Sequence, residues 1–249
     1  MQIHMSAGDR QPRWAWTAGL EGLGQQEMAV MLPWPEGDPR DRYVAHLLRF
    51  IETYIASQPK RILAGQTMHY GWSMLRFVAG ESPQSSIDQR SLLIEELRDP
   101  FTFDQPAYVP GATRALELTA LQREAIQRNR ISGESEHPHR SGMVIVCNRV
   151  TPDTICSLRP LAVQRLWEPK NQYTGWFVSC SNSGHDHDNP DELAPVHLLH
   201  LINGFPALFP YLAMPVGTAL FFESQQVIVF GPGDQDGHVD PAPLLLTLP

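Results

Sequence analysis

Along this chain the apolar positions switch between a period of two and a period near 3.6, and the switches outline the elements. Near the start, "RWAWTAGL" (13–20) alternates large and small residues and "EMAVMLPW" (27–34) is a second apolar run. With the Gly-rich turn "LEGLGQ" between them, they predict an early pair of strands. In "DRYVAHLLRFIETYIASQP" (41–59), Val44, Leu47, Leu48, Ile51, Tyr54 and Ile55 recur at helical spacing, with Asp41 a candidate N-cap and Pro59 a stop. "RILAGQTMHYG" and "SMLRFVAG" then read as two short strands.

The next stretch is less regular. "SPQSSIDQRSLLIEELRDPF" (82–101) is polar at its start and has room for a short helix, while "FTFDQPAYVPGAT" is Pro-punctuated and extended. From Thr119, "TALQREAIQRNR" combines a capping-box pair, Thr119 and Gln122, with a thin apolar stripe of Leu121, Ala125 and Ile126, predicting a peripheral helix. "ISGESEHPHRSG" (131–142) has no periodicity and the composition of a linker, which places a domain boundary near residue 140. Beyond it, "MVIVCNRV" and "YTGWFVSCS" read as strands, "DELAPVHLLHLIN" as a short helix with Pro195 in its first turn, and "GFPALFPYLAMP" as a compact Pro-rich segment. "GTALFF" and "QQVIVF" close the chain as strands. The irregular order predicts an α+β fold of two small mixed domains, 1–140 and 141–249.

Composition narrows the function. The chain has 249 residues, 42% hydrophobic and 18% charged, as expected of a folded soluble protein. Neither a signal peptide nor a membrane span is visible, so the expected compartment is the cytoplasm. Cys147, Cys156 and Cys180 form no C-x-x-C pair and read as reduced structural thiols. Net charge is −8, and residues 141–249 hold 10 acidic side chains against 4 basic ones. Such a surface repels nucleic-acid phosphates and suits a basic protein partner. The six tryptophans are scattered and form no base-stacking platform.

The candidate chemistry gathers in "SNSGHDHDNPDE" (181–192). One reading is a metal site: His185 and His187 in H-x-H spacing, Asp186 and Asp188 as oxygen donors, and His197 and His200 on one face of the following helix. Asn189 and Pro190 stand where a metallo-hydrolase motif of the H-x-H-x-D-H kind needs Asp and His, and H-E-x-x-H is absent. G-x-S-x-G, a phosphate-binding P-loop and a dinucleotide fingerprint are absent too. The favoured reading is therefore an acidic loop that a basic partner grips through His185, Asp186, His187, Asp188, Asp191 and Glu192, with no catalytic residue, metal or cofactor. The rival is a small metal-dependent hydrolase built on the same loop.

Residues 173–221 also resemble a known family. Gly175, Trp176, Phe177 and Ser179, then Asp188, Asn189 and Pro190, then Leu212, Pro215, Gly217, Thr218, Ala219 and Leu220 follow the order of motifs in immunity protein family thirty-three. "CNRVT" (147–151) is similar as well, so the resemblance covers roughly 143–230. His185 and His187 are departures from the family pattern. The resemblance implies an immunity protein, an antidote that binds a cognate antibacterial toxin used in interbacterial competition. It further suggests a metal-dependent DNase effector of a type VI secretion system as that toxin. Residues 1–140 carry no comparable resemblance.

Overall fold

The computed structural model describes residues 1–7, 12–58, 60–81, 90–102, 104–133, 137–151, 154–155, 160–181 and 184–243. Cys156 and the polar start of the 82–101 segment lie outside them. Contacts divide the chain into two compact units, Met1–Ala120 and Leu121–Pro249.

The first unit is built on one sheet. Strands β1 (Gln2–Met5), β2 (Arg13–Ala18) and β3 (Met28–Leu32) run as an antiparallel meander. Helix α1 (Asp41–Ser57) follows, then β4 (Thr67–Tyr70), β5 (Ser73–Glu81), β6 (Arg90–Leu97) and β7 (Tyr108–Pro110). The order β1-β2-β3-β6-β5-β4, with β7 also on β6, contains one parallel pair, β3 with β6. Helix α1 forms where the spacing predicts it. Val44, Leu47, Leu48, Ile51 and Ile55 are buried in one apolar cluster with Met28, Val30, Leu75, Phe77, Leu92 and Ile94. Each such side chain contributes on the order of 1.5–3 kcal/mol by leaving water.

Several expectations change here. Asp41 is the first helical residue rather than the cap, and Arg40 holds the cap position. The Asp41 carboxylate accepts from Arg13 Nη1 at 3.3 Å and Trp34 Nε1 at 2.8 Å, partners outside the helix. The described part of the 82–101 segment is strand β6, whose Leu92, Ile94 and Glu96 are buried in alternation.

Helix α2 runs Thr113–Arg128, so the division between the units falls inside it. It starts six residues before Thr119, because the buried Glu96 carboxylate of β6 accepts from Arg114 N at 3.0 Å and Ala115 N at 2.7 Å and caps it from outside. Thr119 is mid-helix, its hydroxyl donating back to Ala115 O at 2.9 Å. Nor is the helix peripheral, since Ala115, Leu116, Leu118, Gln122 and Ala125 are all buried. Residues 121–140, which composition assigns to the first domain, group with the second unit. Gln122 donates to Phe209 O at 3.2 Å, and its Oε1 lies 2.6 Å from His137 Nδ1.

The second unit holds β8 (Met143–Cys147), β9 (Leu161–Arg165), β10 (Tyr173–Cys180), β11 (Leu193–His197), helix α3 (Leu198–Gly204), β12 (Ala219–Phe222), β13 (Val227–Phe230) and the short β14 (His238–Val239). Their order is β11-β8-β10-β9-β12-β13-β14, and β8 with β10 is the parallel pair. The predicted helix over 191–203 is thus half strand. Pro195 sits in β11, an edge strand, where a missing N–H costs no ladder bond. Trp176 is fully buried and donates to Leu212 O at 3.0 Å. Gly175 has φ near +83°, and a Cβ there would lie 1.9 Å from Trp167 O, so only glycine fits this irregularity in β10.

A buried carboxylate closes this unit. Asp240 accepts from Arg128 Nε at 2.8 Å and Nη2 at 2.9 Å, from Tyr211 Oη at 2.5 Å and from Asn129 Nδ2 at 3.2 Å. Burial pushes its pKa up, and the Arg128 and Tyr211 bonds outweigh that and bring it to about 2.

Candidate functional site

The site follows from the parallel pairing of β8 and β10. Both strands are apolar, which drives them into the centre of the sheet, and each ends on a buried cysteine, Cys147 and Cys180. Because the strands run the same way, with Phe177 opposite Ile145 and Val178 opposite Val146, those ends lie together. Cys180 N lies 3.4 Å from Cys147 Sγ in a donor geometry. The chain then passes through the 181–192 loop and returns as β11, pairing antiparallel on the other side of β8 with Leu193 opposite Cys147. The loop therefore crosses over the two strand ends.

Turn chemistry shapes the loop. The Asp186 carboxylate accepts from Asp188 N at 3.0 Å. Asn189 accepts from Asp191 N at 3.1 Å, capping a single 3-10 turn over Pro190–Glu192. Glu192 is tied to the end of β8: Asn148 N donates to Glu192 O at 2.8 Å, and Asn148 Nδ2 to Glu192 Oε2 at 2.5 Å.

These contacts sort the sequence-predicted residues into two groups. Asp186, Asp188 and Asp191 are exposed. His185, 9% exposed, turns inward: its Nε2 lies 2.9 Å from Glu192 Oε2 and its Nδ1 3.3 Å from Cys180 Sγ. A carboxylate only accepts, so Nε2 carries the proton, and in the neutral ring Nδ1 presents its lone pair to the sulfur. His187, half-buried, brings Nε2 to 3.6 Å from the same sulfur. The two rings meet edge to face with centroids 4.7 Å apart, and Phe177 flanks His187 at 6.3 Å.

Cys147, Cys180, His185 and His187 consequently offer two thiol sulfurs and two ring nitrogens that all lie within 4.8 Å of one another. This is a donor set of the kind that holds zinc. Burial raises the Cys147 thiol above its ordinary pKa. The Cys180 and Glu192 contacts raise His185, and the His185 and Asn148 contacts lower Glu192.

The sequence supplied His185 and His187 as the alternative metal ligands, but its partners for them do not join the group. His197 and His200 pair with each other, rings 6.0 Å apart, and both are exposed. The two cysteines, read as structural thiols, take the remaining places. A signal for them was present: each closes an apolar strand, and Cys180 stands five residues before His185. Cys147 is 33 residues earlier still, outside any short motif.

Residues 121–230 match the model of the Imm33-like domain family. The match starts at the first residue of the unit and contains the whole loop and all four cluster residues. No curated protein and no solved structure matches the chain.

Proposed function

We propose, with the match of residues 121–230 to the Imm33-like domain family as premise, that this chain is an immunity protein that binds and neutralises a cognate antibacterial toxin. The domain match is the observation that carries the reading. We further propose that the toxin is a metal-dependent DNase effector of a type VI secretion system, met in the cytoplasm, and that the antidote occludes its active site or DNA cleft without catalysis of its own. A DNase presents a basic cleft to its substrate, and an acidic inhibitor surface competes for that cleft while steering the encounter through complementary charge. Asp186, Asp188 and Asp191 stand exposed on a loop inside the matched domain, which is what such a contact requires. His185 and Glu192 support the loop from beneath through their mutual bond.

The experiment is co-purification of the tagged chain with an inactivated form of the protein encoded beside it, followed by growth rescue against the active form. A tight one-to-one complex and restored growth are expected; neither complex nor rescue would overturn the reading. Asp186→Lys, Asp188→Lys and Asp191→Lys together are expected to slow association most at low ionic strength. Unchanged affinity at low salt would remove the loop from the interface.

A further inference from the structure

The four ligand-type side chains meet at the carboxyl ends of β8 and β10, and their spacing is that of ligands around one ion. With zinc bonds of about 2.3 Å to sulfur and about 2.0–2.1 Å to nitrogen, a tetrahedral centre holds its sulfur and nitrogen ligands about 3.6 Å apart. Cys180 Sγ lies 3.3 Å from His185 Nδ1 and 3.6 Å from His187 Nε2. The same geometry separates two sulfurs by about 3.8 Å and two nitrogens by about 3.3 Å. With all ligand atoms within 4.8 Å of one another, closing the shell needs shifts of at most about 1–1.5 Å.

A second observation points to the same ligand. Metal-bound histidines usually donate their outer N–H to a carboxylate or carbonyl, which orients the ring and makes the inner nitrogen a better donor. His185 does this with Glu192, and Glu192 is anchored by both the backbone and the side-chain bonds of Asn148. A solvated turn has no need of a carboxylate anchored in this way behind a histidine that faces a buried thiol.

We propose that Cys147, Cys180, His185 and His187 bind one Zn2+ ion, which pins the acidic 181–192 loop across the ends of β8 and β10. On binding, the two thiols lose their protons to solvent, and two thiolates balance the dication beside two neutral imidazoles. Four protein ligands complete a tetrahedral shell and leave no position for water or substrate, so the site is structural. The hydrolase reading of the same loop loses its open coordination position. The ion holds Asp186, Asp188 and Asp191 in one arrangement from inside the loop, and this holds whether or not the protein meets a toxin.

The test is metal analysis of the full chain purified under reducing conditions, with and without reconstitution by Zn2+ or Co2+. One zinc per chain is expected, and Co2+ should give the intense visible bands of a tetrahedral thiolate site. Cys180→Ser should abolish uptake. As that change reaches a buried position, His187→Gln, at a half-buried one, keeps the test decisive: it should weaken zinc binding while preserving the circular dichroism of the fold. Glu192→Gln should retain the site but lower zinc affinity about 10–100-fold, the effect expected of a positioning residue behind a ligand. Reduced wild-type chain that takes up neither ion overturns the proposal. So does stoichiometric metal that survives His187→Gln and Cys180→Ser combined, or a Cys147–Cys180 disulfide whose reduction restores no uptake.

Discussion

Among the described residues, each unit contains one parallel strand pair in an otherwise antiparallel sheet, and the two pairs finish in different ways. In the first unit, β3 and β6 end at Leu32 and Leu97, and the polar group there, Glu96, is consumed by the fold as a cap on α2. In the second unit, β8 and β10 end on two cysteines, and the crossing loop adds two histidines and Glu192. The connections differ as well. Between β3 and β6 the chain passes through a helix whose apolar face fills the core, whereas β11, reached through the polar loop, lies beside β8. Similar local pairing leaves a carboxylate capping a helix in one case, while in the other it lines up soft donor atoms. A strand end is therefore best judged by whether its polar groups find partners in the backbone or in one another.

The largest effect is expected where β10 sets the alignment of its last residue. Gly175→Ala places a Cβ against Trp167 O and forces a non-glycine residue to positive φ. It should destabilise the second unit by more than about 3 kcal/mol in denaturant titration and abolish metal uptake. Full uptake by this variant would show that the irregularity in β10 does not align Cys180 with Cys147.

Next comes acid sensitivity. Burial, together with the Arg123 and Arg165 charges, lowers His137 from 6.5 to about 4. The folded pKa is below the unfolded one, so between pH 6.5 and about 4 the unfolded chain binds the extra proton and stability falls with pH. The loss is at most about 3 kcal/mol. His137→Gln should flatten this slope in urea midpoints taken from pH 7 to 4. Asp240, with its folded pKa near 2, contributes a further loss only below the ordinary carboxylate value of 3.8.

Smaller changes sharpen the contrast from the other unit. Glu96→Ala removes the external cap of α2 and should cost about 1–2 kcal/mol without altering zinc stoichiometry. A parallel loss of metal would mean that the two strand ends are coupled. At the small end, reversing exposed Asp188 and Asp191 should move stability by less than about 0.5 kcal/mol. A large thermal shift would show that these side chains hold the loop rather than face a partner.

Much of this was legible from local pattern. The period-two runs mark β2, β3, β5, β8, β10, β12 and β13, and the 3.6 spacing of Val44 to Ile55 marks α1, because each element buries one face and the repeat records it. β1 and β14 escape notice as short strands with few apolar residues, and β9 because its alternation of Leu161 and Val163 spans only five residues. The start of α2 was misplaced because its cap comes from Glu96, 18 residues before Arg114. β11 was taken as helix because only its place at the sheet edge makes Pro195 tolerable in a strand.

For the candidate site, residue order alone singled out the 181–192 loop, its charge and its two histidines, since turn formers and carboxylates between two apolar runs carry their meaning locally. The short motifs around it were also enough for the resemblance to the immunity family, which the match over residues 121–230 bears out. Which loop residues face out and which turn in was decided by tertiary structure. The parallel pairing of β8 with β10 sets Cys147 beside Cys180, and the return through β11 brings Glu192 to Asn148 and closes the histidines over the sulfurs. A metal-type site assembled from two strand ends and a crossing loop has no fixed spacing in sequence, because its distances are set by strand register rather than by the number of residues between ligands.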